Sequence, residues 1–169
     1  MQSPELHLAA SAIFEELVGG VAEGGGAFTL NSGDVGLLRS LDTLSAADAS
    51  RSLDGGATVA AHVQHLRYGL GLMSRWAEQG GNPFADAHWD EAWRVSVVNS
   101  AQWSEIRDGF RREASRWQVH LSTSRPLSLV ELQGLLASVV HLAYHLGAIR
   151  QIARAARGPR EGTFVGSPV

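Results

Sequence analysis

Two histidines four apart, His141 and His145, lie in the apolar stretch Val140–Gln151. Four residues of helix turn through about 400°, so both imidazoles leave the same side, one turn apart. Divalent late-transition ions take imidazole nitrogens at ~2.0–2.1 Å, and a pair placed this way can supply two of them. By itself the pair also fits a plainer role, two rings packed in a helix seam and hydrogen-bonded to backbone or water. An earlier apolar stretch carries His62 and His65, three apart and again on one helix face. Either one completes a set of three nitrogens with a position left open, the arrangement of catalytic rather than structural sites. The histidine left outside such a set would orient a ligand or line the pocket.

Around the pair, Gly134, Ala137, Ser138 and Ala148 share the helix face and leave room beside the rings. Tyr144 is placed to reach the edge of the same cavity, or else to sit in the core with its hydroxyl satisfied. Other candidates are weaker. The run His88-Trp89-Asp90-Glu91 reads better as a solvated loop with buried tryptophans than as a pocket mouth. His7 and His120 are single histidines near helix ends and require no function. Gly19-Gly20 and Gly24-Gly25-Gly26 lack the lysine and the strand–helix context of a phosphate loop. There is no Gly-x-Ser-x-Gly nucleophile elbow.

Composition narrows the classes further. The 169 residues suit one domain, 1–169, and include no cysteine, which excludes disulfides, thiolate zinc sites and a cysteine nucleophile. A net charge of −3 with scattered arginines offers no basic stripe, so no nucleic-acid partner is expected. The segment Met1–His7 has no basic n-region, and no run approaches the roughly 18 apolar residues that span a bilayer. The expectation is a cytoplasmic protein with no membrane partner.

The elements that must position the histidines are helical. Ser3 followed by Pro4 starts a first helix running to about Val21, with apolar residues recurring at three and four. A short helix follows over about Asp34–Leu44, then a loop over Ala49–Gly56. Thr58 is a cap or first-turn residue of a second long helix that Gly80-Gly81-Asn82-Pro83 stops after Gln79. Phe84–Val98 reads as a long loop with a short helix near Asp90–Val95. Ser100 caps a third long helix, Ala101 to about Leu121. Ser128 with Glu131 forms a capping box opening the fourth, Leu129 to about Arg157, with a tail over about 158–169. No alternating segment suggests strands. Four long amphipathic helices, one long connection and short extra helices make an all-α four-helix bundle, a fold that builds metal sites from facing helices.

The segments Thr58–Leu66 and His141–Gln151 resemble the DinB/YfiT-like metalloenzyme superfamily, a damage-inducible four-helix family. The resemblance covers most of the chain in helix order, from the first helix to about Arg157, and its specific content is a handful of residues. The family pattern has Thr or Ser opening helix two and a histidine seven residues on, followed by an apolar residue; here these are Thr58, His65 and Leu66. The later H-x3-H with glycine two beyond matches His141, His145 and Gly147. The resemblance thus implies a metal triad of His65, His141 and His145, with His62, Tyr144 and Ser138 in the pocket or behind the ligands. One position departs: Ala148 stands where the family commonly has glutamine.

What the resemblance implies functionally is a metal-dependent enzyme, a hydrolase or a thiol-dependent S-transferase. Its expected cofactors are a divalent transition metal, zinc or nickel, and a low-molecular-weight thiol. Its expected partners are a small-molecule substrate and a second copy of the chain. The alternative is a non-catalytic metal- or ligand-binding helical dimer linked to stress response. No carboxylate occupies a matching helical position beside the triad to serve as general base. Asn82–Val98 and the joint after the first helix are expected to shape the pocket.

Overall fold

The computed structural model describes residues 4–22 and 24–159. Among them are seven α-helices, one 3-10 turn and no strand. The helices are α1 (Pro4–Gly19), α2 (Gly36–Asp42), α3 (Ala46–Ala49), α4 (Val59–Gln79), α5 (Trp89–Trp93), α6 (Ser100–Ser122) and α7 (Leu129–Ile152); the turn is Arg154–Ala156. The long helices α1, α4, α6 and α7 close a ring, α1 touching α6 and α7, and α4 touching the same two from the other side. Phe14 and Leu17 of α1, Val63 and Leu66 of α4, Phe110 and Leu121 of α6, and Leu142 and Ile149 of α7 fill its centre. The all-α bundle with short additional helices is the expected architecture.

Capping chemistry sets most of the boundaries. Thr58 opens α4 by accepting the Ala61 N–H at 3.2 Å. Ser128 opens α7 through a reciprocal box with Glu131, which Arg125 also holds at 2.6 Å. For α6 the cap is Asn99 rather than Ser100, because Asn99 and Gln102 themselves form a complete capping box. The short α3 lies where the sequence predicts the end of one helix and the start of a loop. Ser45 and Asp48 cap each other there and restart the helix after Leu44.

The α7 helix ends at Ile152, five residues before the expected Arg157. Ala153 turns extended at φ −113°, and the 3-10 turn folds back so that Arg150 Nε donates to the Ala156 carbonyl at 3.2 Å. Arg150 also reaches Asp34 at 2.7 Å, a carboxylate shielded from solvent, and this tether to the α2 entry competes with helix continuation. The end of α1 and the start of α2 cross closely at Gly20 (φ +94°) and Gly36 (φ +73°). A Cβ on Gly20 would lie 2.4 Å from the Asp34 carbonyl oxygen, and one on Gly36 2.3 Å from the Gly20 nitrogen. The Ser3 cap and the tail from Arg160 lie outside the described residues.

No unbroken run of roughly 18 apolar residues occurs in α7, where Glu131, Gln133, His141 and His145 interrupt the apolar stretch. That helix is long and apolar enough, by length and composition only, to cross a membrane. A core helix meets the same criteria, and α7 packs against α1 and α4 within the ring. Its outer side leaves Leu129, Leu136, Val140 and Tyr144 exposed.

Candidate metal centre

The first two turns of α4 meet the middle of α7. On α4, the buried stripe Val59, His62, Val63, Leu66 and Leu70 carries the histidines inward. On α7, His145 belongs to the buried stripe with Ser138, Val139, Leu142 and Ile149, while His141 is half-buried at its edge.

Across the α4–α7 seam, His141 Nε2 lies 3.1 Å from His65 Nε2 and 2.9 Å from His145 Nε2. One nitrogen from each of His65, His141 and His145 falls within 4.8 Å of the others. His62 stands behind this group, its Nδ1 2.8 Å from His145 Nδ1. The fold therefore brings the expected three together and sets His62 beside them.

The donor set suits a cation. Three neutral imidazoles carry one N–H each, and His141 Nε2 has a single proton or a single lone pair to offer two close neighbours. At most one of the two contacts is then a well-formed hydrogen bond, and the other must share the same proton or lone pair. Protonation would relieve this, but burial opposes charge. Burial, then the neighbouring His141 and His62, push His65 down to about 4. Burial, then His141, His62 and His65, push His145 down to about 3. Burial alone also lowers His62 and His141. All four rings thus favour the neutral form that offers lone pairs to a metal. Tetrahedral ligands at ~2.0–2.1 Å stand roughly 3.3 Å apart, close to the spacing found here. The three-histidine cluster could hold a divalent metal ion.

Tryptophans wall the cluster. Trp93 stacks on His65 with centroids 4.2 Å apart and meets His62 edge-on at 5.3 Å. Trp89 lies 5.2 Å from the His65 ring. Sequence reasoning gives the 82–98 segment to the pocket but names neither tryptophan for it, reading them as buried; they are only partly covered, Trp93 being 36% exposed. The signal that points to them is their spacing of four, which puts both rings on one side of a helix spanning Trp89–Trp93. His65 Nδ1 is buried without a hydrogen-bond partner, so Nε2 is the engaged nitrogen of that ring.

The remaining expected site residues divide. Ser138 is buried and lines a cavity beside His141, but its hydroxyl is committed, donating to the Leu135 carbonyl at 2.7 Å and accepting the Trp117 indole N–H at 2.9 Å. Tyr144 is 70% exposed and meets the His145 ring edge-on, so it lies neither in the cavity nor in the core. Phe84 and Trp89 of the 82–98 segment line the cavity, whereas no described residue of the joint after α1 does. His7 is structural: with Nδ1 donating to the Leu121 carbonyl at 3.2 Å, its Nε2 accepts the Arg125 N–H at 3.4 Å. No family model, no curated protein and no solved structure matches the chain.

Proposed function

We propose that His65, His141 and His145 bind a divalent transition metal, zinc or nickel, and that the chain is a metal-dependent enzyme of the DinB/YfiT-like kind. The observation carrying this reading is the convergence of three neutral-favouring imidazoles on one point, two of the nitrogen separations being 2.9 and 3.1 Å. An ion held there supplies Lewis acidity that favours the deprotonated form of a bound water or thiol. His65, His141 and His145 fix its place, and His62 fixes the proton on His145 Nδ1. Trp93 and Trp89 limit solvent on the α5 side. Three protein ligands leave a position for a substrate, which supports hydrolysis or thiol-dependent transfer over a purely structural role. Cobalt(II) substitution tests the open position. Absorption bands that shift on adding imidazole or a small thiol support the enzyme reading; bands indifferent to both would count against it.

A second reading is favoured by the exposed apolar side of α7: a non-catalytic, metal-binding helical dimer. Leu129, Leu136, Val140 and Tyr144 offer a self-complementary stripe for a second copy. Dimerisation is compatible with either role, so the cobalt spectrum, not the oligomeric state, separates the two.

A further inference from the structure

A cavity of about 330 Å³ lies between α4, α7 and the segment leading into α5. Its α7 wall runs from Val130 to His141, roughly 16 Å of helix, so His141 closes one end. Leu66, next to His65, stands at that same end of the α4 wall, and Trp76 at the other. Phe84 and Trp89 cover the side. No carboxylate, ammonium or guanidinium is among the described lining residues; their polar groups include Gln133, His141 and the Ser138 hydroxyl, which is already paired. A charged group seated against the buried floor of Leu66, Leu70 and Met73 would lose hydration without a counter-charge.

Two glycines set its shape. A Cβ at Gly134 would lie 2.4 Å from Trp76, so the missing side chain lets that indole lie against α7. A Cβ at Gly69 would only touch Trp89 at 3.7 Å, so here the absent side chain leaves free space. A dry cavity of about 150 Å³ holds one benzene ring. The space beside His141 is about twice that, with flat aromatic walls suited to stacking.

From this geometry we infer that the cavity binds an uncharged aryl group of about two rings, carried by a substrate whose donor atom faces the histidine cluster. The second half of this inference rests on the metal reading above; the first does not. The aryl group supplies binding area along α7 and α4, and the cluster end receives the reacting atom.

Two probes keep the halves apart. With chelated, metal-free protein, 2-naphthol should quench tryptophan fluorescence saturably, and Ala137→Trp, an exposed position lining the cavity, should weaken its binding about tenfold or more. Leu8→Trp, an exposed α1 position outside the cavity, should leave it unchanged. Absence of saturable binding, or equal binding by Ala137→Trp, would overturn the cavity assignment. With zinc-loaded protein, 4-phenylimidazole should bind about tenfold tighter than imidazole, and a para-carboxylate on its ring should abolish that gain. Equal affinity for imidazole and 4-phenylimidazole would overturn the placement of the donor at the cluster. Failure of the metal reading looks different: no zinc and no imidazole response, with 2-naphthol binding still lost in Ala137→Trp.

Discussion

His62 and His145 face each other through their Nδ1 atoms, 2.8 Å apart, which ties the proton position of one ring to that of the other. If His145 Nε2 gives its lone pair to a metal, its Nδ1 carries the proton and donates to His62 Nδ1. His62→Ala should therefore keep the metal but weaken its affinity about 10–100-fold, measured by competition with a calibrated chelator. Complete loss of metal in this variant would place His62 among the ligands instead.

Acid should destabilise the metal-free protein. His65 and His145 are held down to about 4 and about 3 in the fold, against an ordinary value of 6.5, so the unfolded chain binds more protons in between. Their contribution to stability is full above about 6.5, declines as pH falls toward 4, and levels off near 3. The slope is up to ~1.4 kcal/mol per pH unit for each ring. Urea midpoints of chelated protein between pH 7.5 and 5 should fall accordingly; a flat profile would contradict the burial of neutral rings.

A second buried group anchors the far end of α1. Burial works against ionisation of Glu16, but the backbone N–H groups of Leu30, Phe28 and Thr29 outweigh it and lower its pKa. The carboxylate accepts those donors at 2.6 to 3.2 Å. Glu16→Gln should cost about 1–3 kcal/mol and speed amide exchange at residues 28–30. Unchanged exchange there would show that the loop is held by other contacts.

The outer side of α7 predicts a concentration-dependent dimer. Light scattering should give twice the chain mass, and Val140→Glu, placing a charge in the exposed stripe, should return it to the monomer. A monomeric wild type at high concentration would remove α7 as an interface.

Much of this centre was legible in the sequence because its determinants are local. The spacing of His141 and His145, the Thr58 cap and the placing of His62 and His65 on one face each depend on one helix alone, whereas the choice of His65 over His62 came from the family resemblance. What was not legible depends on how helices meet. The contact of His62 with His145 arises from the α4–α7 crossing, and no periodicity encodes it. The stacking of Trp93 on His65 requires α5 to fold back over α4 after a stretch without a clear pattern. The exposure of Tyr144 follows from the rotation of α7, which its sequence, apolar on nearly every side, does not specify. The early end of α7 likewise needed the Arg150–Asp34 pair, 116 residues apart in sequence.

Elemental analysis of the purified protein and its alanine variants bears on the metal triad without intermediate steps. The wild type should hold close to one zinc or nickel per chain, and His65→Ala, His141→Ala and His145→Ala should each lose it while remaining helical by circular dichroism. Full metal content in all three folded variants, or none in a wild type purified without chelator and then offered zinc, would contradict a three-histidine metal site.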